Sequence, residues 1–170
     1  MEEITGQQCM MCGANELTLR EDELEIPYFG RVAVFGMSCT ACGYKKSDLE
    51  PLEQRDGAEY TFEVTCEADL NVKVVKSGSA TLKIPRMITQ KPGPSSNGYI
   101  TTVEGVLERV KSTIQTSIEG EDDKAVRTKG KNQIKKLNNV LAGRDTIRII
   151  IRDETGCSSI VSDKVTVKRA

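Results

Sequence analysis

Two knuckles of the form Cys-x-x-Cys-Gly, Cys9-Met10-Met11-Cys12-Gly13 and Cys39-Thr40-Ala41-Cys42-Gly43, constrain this chain more than any other feature of its sequence. Each brings two sulfurs to one side of a tight bend, and the following glycine allows the positive φ that such a bend often needs. Together they supply four thiolates, the ligand set of a tetrahedral zinc site with bonds of about 2.3 Å. Four protein ligands leave no position for water or substrate, so the metal is expected to build structure rather than to catalyse. Two other readings use part of the pattern. A rubredoxin-like iron centre has similar knuckles, but is an odd opening for a chain with 4 % aromatic residues and most of its length still to come. A disulfide or dithiol redox pair needs only one Cys-x-x-Cys, and leaves the matching second one unexplained. Cys66 and Cys157 lie apart, in strand and turn patterns, and read as structural or incidental.

The 170 residues are 38 % hydrophobic and 29 % charged, within the soluble globular range. Met1 to Gly6 lack the basic and apolar regions of a signal peptide, and no stretch approaches the roughly 20 apolar residues of a membrane span. A cytoplasmic protein with no membrane partner is expected, and zinc-ligating thiols suit a reducing compartment. The sequence contains no histidine. That removes Ser-His-Asp and Cys-His nucleophile systems, imidazole acid–base chemistry and histidine metal ligands at once. Neither a Gly-x-x-x-x-Gly-Lys-Ser/Thr phosphate loop nor a Gly-x-Gly-x-x-Gly fingerprint is present. The chain therefore reads as a non-enzymatic protein with no small-molecule substrate.

Net charge is −1, but residues 1–70 carry 15 acidic and 5 basic side chains, and residues 71–170 carry 10 and 19. Zinc held by four thiolates makes the first half more negative still, which disfavours a nucleic-acid backbone as its partner.

Glu16–Arg20 and Arg31–Phe35 alternate polar and apolar residues on either side of Ile26-Pro27-Tyr28-Phe29-Gly30, the pattern of a zinc-ribbon hairpin. Tyr28 and Phe29 fall near its loop, where they would either pack over the metal or stand out as an aromatic anchor for a partner. Residues 44–58 are polar and poorly periodic, as expected where a small module hands over to a larger one. The boundary is placed near Leu52, giving a ribbon over 1–52 and a β-domain over 53–170. Tyr60–Val64, Leu70–Val74 and Ser79–Ile84 suggest short antiparallel strands, and the Pro, Gly and Ser of residues 91–98 a surface loop.

The period then changes. Val103, Val106, Leu107, Val110, Ile114 and Ile118 recur at helical spacing, with Thr101-Thr102-Val103-Glu104 fitting a capping box. Residues 120–123 provide a turn and an acidic start for a second helix with the stripe Ile134, Leu137, Val140 and Leu141, ending at Gly143. Gly130 costs that helix about 1 kcal/mol relative to alanine, so its first half is expected to fray. From Lys124 to Arg144 there are seven basic residues and no acidic one. They form either a solvated face or a contact for an acidic partner or a nucleic acid. No aromatic residue is interleaved to stack on bases, which disfavours single strands. Thr146–Arg152 and Lys164–Lys168 close the chain as strands. This order suits a mainly β fold with a helical hairpin inserted over about 101–143, rather than a parallel α/β sheet.

These segments resemble the ZPR zinc-finger family of archaea and eukaryotes over nearly the whole chain. The likeness rests on the two knuckles and their spacing, on Ile26–Gly30, and on Cys39 to Lys45. It extends to Asp69 to Ser77 with Ala80 to Pro85, an Asp-Leu…Val-Lys-Ser…Ile-Pro stretch, and to Ile100-Thr101-Thr102-Val103-Glu104-Gly105. Asp153 to Ser158 resembles the family's Asp-Pro-Ser-Gly-Asn-Ser turn, with Glu154 and Cys157 departing from it. Eukaryotic members carry the ribbon and β-domain twice, whereas this chain has one copy and looks like an archaeal member. The resemblance implies a four-cysteine zinc ribbon followed by a jelly-roll-like double-stranded β-helix domain carrying the hairpin. It also implies a partner, translation elongation factor 1-alpha, and a role in assisting that factor's folding. Contacts are then expected from Tyr28, Phe29, Asp69, Lys76, Thr101, Thr102 and Glu104. Each has a plainer alternative: Thr101 and Glu104 could cap a helix, and Asp69 and Lys76 could form a cross-strand ion pair worth under about 1 kcal/mol. The competing functional reading is an RNA- or ribosome-associated module acting through Lys131, Lys135 and Lys136.

Overall fold

The computed structural model describes residues 2–26, 30–52, 56–93 and 96–169. The first unit is a four-stranded antiparallel sheet in the order β1 (Glu2–Gln7), β2 (Leu17–Ile26), β3 (Gly30–Cys39) and β4 (Lys45–Pro51). The two expected strands are there, but longer, and paired from Leu17–Cys39 out to Ile26–Gly30. Part of the stretch expected as an irregular hand-over, Lys45–Pro51, is a regular strand. β4 pairs with β3 from Ser38–Lys45 to Val32–Pro51. Its Lys45, Lys46 and Ser47 are exposed, so its first half carries no apolar alternation to mark a strand. β1 escapes notice in the sequence for the same reason, being exposed along its whole length.

The second unit packs a five-stranded sheet against a three-stranded one, a jelly-roll arrangement with every pair antiparallel among the described residues. The larger sheet runs in the order β12 (Thr166–Arg169), β5 (Ala58–Val64), β10 (Ile147–Asp153), β7 (Thr81–Ile84) and β8 (Ile88–Gln90). The smaller is β11 (Ser159–Val161), β6 (Lys73–Lys76) and β9 (Tyr99–Thr102). The three early runs are therefore not neighbours in one sheet. β5 and β7 flank β10, while Leu70 belongs to a short 3-10 turn, Glu67–Asn71, that precedes β6 on the other sheet. Strand β10 shows why the alternation is informative: Ile147, Ile149 and Ile151 are buried, and Arg148, Ile150 and Arg152 alternate with them, the two arginines exposed and Ile150 half-buried.

Helices α1 (Val103–Glu119) and α2 (Lys124–Leu141) form the inserted hairpin between β9 and β10. Their stripes join one core with both sheets, in which Val106, Leu107, Val110, Leu137 and Val140 meet Phe62, Leu82 and Ile149. Neither helix is apolar enough to cross a membrane. The N-cap of α1 is Thr102, whose hydroxyl accepts from the Gly105 amide at 3.2 Å. The expected box was set one residue early: Thr101 is the penultimate residue of the strand, paired with Val74, and Glu104 falls in the first turn. Asp123 caps α2 by accepting from Ala125 and Val126 at 2.7 and 3.4 Å.

Fraying of α2 at Gly130 is not seen, since the helix runs unbroken through it. Gly130 is buried where the helices cross, and a Cβ there would overlap Ile118 Cγ2 and touch Ile114 Cγ2 at 3.7 Å. A second core links the two units, with Val32 and Val34 of the ribbon against Val75 and Cys157. A hydrogen bond from the Gly98 amide to Asp48 at 3.0 Å reinforces it.

Gly130→Ala should lower stability by about 1–2 kcal/mol in denaturant titrations, overpacking outweighing the gain in helix propensity. Truncating the obstacle in the double variant Gly130→Ala/Ile118→Ala should recover part of that loss relative to Ile118→Ala alone.

Candidate metal centre and partner-facing residues

The two knuckles are built alike. In the first, the Cys9 amide donates to Ala14 O at 2.8 Å and the Gly13 amide to Cys9 O at 2.8 Å; in the second, Cys39 donates to Tyr44 O at 2.9 Å and Gly43 to Cys39 O at 3.0 Å. Gly13 and Gly43 adopt φ of 76° and 73°, the left-handed conformation that lets the chain leave each bend without a Cβ clash. Strands β2 and β3 bring the bends together, and Leu17, Leu19, Met37 and Tyr44 pack beneath the sulfurs.

All four Sγ atoms lie within 4.8 Å of one another. Cys9 to Cys42 and Cys12 to Cys39 are each separated by 3.8 Å. Thiolates bonded at about 2.3 Å to one tetrahedral ion stand about 3.8 Å apart, so the spacing fits zinc and is far too long for disulfides. The electrostatics point the same way. Backbone amides of Met11 and Cys12 draw the Cys9 thiol down to about 7. At Cys42 the Tyr44 amide also pulls down, but desolvation and the three neighbouring thiols outweigh it and push the group up to about 12. Four thiols this close cannot all ionise without a cation among them, and a dication supplies that charge. Zinc would be held by Cys9, Cys12, Cys39 and Cys42 with its coordination complete, leaving it a structural role.

The proposed contact residues are not assembled into one site. Tyr28 and Phe29 lie outside the described residues. Asp69 and Lys76 do not pair with each other. Buried Asp69 accepts from the Lys164 ammonium at 2.7 Å and from the Thr65 amide and hydroxyl at 2.9 Å each. Burial raises its pKa, but these donors prevail and hold the carboxyl well below its usual range. The ammonium of Lys76, also buried, donates to Ser77 O at 3.0 Å and sits 5.7 Å from the centre of the Tyr99 ring, against which Arg109 also lies at 4.7 Å. Burial pushes the Lys76 pKa down, opposed by the charge of Asp153. Thr101 and Thr102 are half-buried at the strand–helix junction, while Glu104 is exposed and has no side-chain partner among the described residues.

The polar centre that sequence reasoning missed lies around Asp153, which is fully buried. One oxygen accepts from the Ser77 and Ser158 hydroxyls at 2.7 and 2.6 Å; the other accepts from the Thr155 amide and hydroxyl at 2.9 and 2.6 Å. Ser158 also accepts from the Ser77 amide at 3.0 Å. The Val-Lys-Ser and Asp-x-x-Gly-x-Ser segments, singled out only by resemblance, are thus two halves of one network. Despite the opposing effect of burial, its hydroxyl and amide donors hold the Asp153 carboxyl below the usual range.

Elemental analysis should find one zinc per chain, lost on Cys12→Ser. Strong chelation should abolish the ribbon's ordered amide signals in NMR while those of the larger domain, which has its own core, persist. Acid should act through Asp69 and Asp153. Both bind protons more weakly folded than unfolded, so their contribution is complete above the unfolded value of about 4 and is lost as pH falls below it. The midpoint of thermal unfolding should therefore drop between about pH 4 and pH 2, more shallowly in Asp153→Asn, which starts from a lower stability.

Comparison with known proteins follows the division into two units. The ZPR1 zinc-finger domain matches residues 3–54 and the ZPR1 jelly-roll domain residues 68–169. A ZPR1-like protein of Methanocaldococcus jannaschii is 33 % identical over 167 residues, 97 % of this chain and 84 % of its own length. One from Pyrococcus horikoshii is 32 % identical over 99 % of this chain and 78 % of its own. The zinc finger chaperone zpr1 of Schizosaccharomyces pombe is 33 % identical over 89 % of this chain, which corresponds to 33 % of that longer protein. Both domains in order, with similar proteins spanning almost the entire sequence, show that the chain belongs to the ZPR1 zinc-finger family.

Proposed function

We propose that this chain is a non-enzymatic binding protein that holds translation elongation factor 1-alpha in the cytoplasm and assists its folding. The observation that carries this reading is membership, across both domains, of a family in which the fission-yeast relative bears the name of a chaperone. A metal site saturated by four cysteines fits it, because such an ion holds a shape and offers nothing to a substrate. The partner itself comes from the family resemblance. Ribbon and jelly-roll share a packed interface at Val32 and Val75, so the protein offers one continuous frame rather than two tethered modules. Tyr28 and Phe29 of the ribbon sequence and the exposed Glu104 at the start of α1 are the contacts to test first. Asp69 and Thr102 already serve the fold, one through Lys164 and the other as a helix cap.

Tagged protein drawn from nuclease-treated lysate of its host at moderate salt should recover elongation factor 1-alpha near one-to-one. Glu104→Gln should reduce that recovery about three- to tenfold, a loss of about 1 kcal/mol, with little change in melting temperature. Recovery of RNA-bound proteins alone, and only before nuclease treatment, would replace this reading with an RNA-associated one.

A further inference from the structure

Helix α2 does not lie flush against the sheet along its whole length. Its N-terminal two-thirds, the β7–β8 turn and the start of β10 enclose an open groove of about 1460 Å³. This exceeds the roughly 300–1,000 Å³ of a small-molecule pocket and suits a segment of polypeptide. Gln133 donates to Met87 O at 3.0 Å, fastening the helix to the turn.

The charges around the groove are one-sided. Arg86 enters from the turn, and Lys124, Lys129 and Lys136 enter from the helix. All four are exposed, and none has an anionic partner among the described residues. The two carboxylates at the rim are already engaged: Glu63 pairs with Arg148, and Asp123 accepts the first amides of α2. Arg86 adds a second kind of observation. It is the one non-glycine residue with positive φ among the described residues, at 61°. An arginine there costs on the order of 1 kcal/mol relative to a residue that takes this conformation freely, so the turn carries a cation where glycine would be more relaxed.

The floor separates the two polyanions that such a charge could attract. Half-buried Pro85 and Met87 line it above the buried Ile84 and Ile147, with polar Thr128 and Asn132 beside them, and no aromatic residue does. Apolar floor and cationic rim match a peptide in which acidic residues alternate with apolar ones. A nucleic acid would want stacking surfaces and an extended positive track. We propose that this groove is a docking site for an acidic segment of a protein partner, one whose apolar side chains enter the groove while its carboxylates meet Arg86, Lys124, Lys129 and Lys136. This rests on the reading that the chain is a protein-binding helper and adds where, and by what chemistry, a client segment is held.

The test is fluorescence anisotropy with a short labelled peptide of glutamates interrupted by leucines, beside its lysine counterpart and a uridine oligonucleotide. The acidic peptide should bind, with affinity falling as salt rises, and the lysine peptide should not. Lys129→Glu/Lys136→Glu should weaken binding at least about tenfold. Arg86→Gly should weaken it about threefold while raising or preserving the melting temperature, a separation that a purely structural arginine would not produce. Absence of peptide binding at low salt, or binding unchanged in both variants, would overturn the proposal. So would tighter binding of the oligonucleotide through the same lysines, or self-association abolished by these substitutions, which would make the ribbon strand of a second copy the occupant. Capture of elongation factor 1-alpha is scored separately. If the factor is captured but the peptide is not bound, the groove inference fails and the helper reading stands. Peptide binding without capture of the factor sinks the choice of partner and leaves the groove.

Discussion

The buried carboxylate of Asp153 is the constraint from which the larger domain is organised. It ends β10, the central strand of the five-stranded sheet, and accepts hydrogen bonds from the hydroxyls of Ser77 just after β6 and of Ser158 just before β11, both on the three-stranded side. A buried charge without donors would be costly, whereas one accepting this many hydrogen bonds fixes the position of every group around it. The two sheets are thus pinned at one corner. Cys157, in the same turn, packs against Val32 of the ribbon, so the corner that joins the sheets also seats the metal-binding unit.

That seating explains how a small ribbon can be part of a rigid body. On its own it has little core besides the residues under the sulfurs. Its stability comes from metal coordination at one end and from contact with the jelly-roll at the other. The hairpin is held differently, by apolar stripes that merge with the main core, leaving the exposed lysines of α2 outside it, three of them along the groove. An acidic ribbon and a basic α2 on a shared frame give the molecule a charge separation that its net charge of −1 conceals.

What could be read from the sequence was whatever repeats locally. Knuckle spacing identified the metal ligands, and the change from period two to period 3.6 located the hairpin between strands. Polar strands defeated the same approach, because β1 is exposed throughout and β4 opens with exposed Lys45, Lys46 and Ser47, so neither has an alternating signature. The N-cap was misplaced by one residue because Thr101-x-x-Glu104 alone fits the capping-box pattern, whereas it is the hydroxyl of Thr102 that accepts from the Gly105 amide. Partners distant in sequence were invisible. Lys164 lies 95 residues from Asp69 and Ser77 lies 76 from Asp153, so neither bond leaves any periodicity to read. Gly130 was misjudged for a related reason: propensity describes an isolated helix, and the close approach of Ile118 belongs to the pair.

The two knuckles contribute unequally to solvent access. Their leading cysteines, Cys9 and Cys39, are buried, while Cys12 and Cys42 are exposed. A competing thiol or chelator would therefore meet the trailing pair first, and a partner seated over that face would shield the two ligands that solvent can reach.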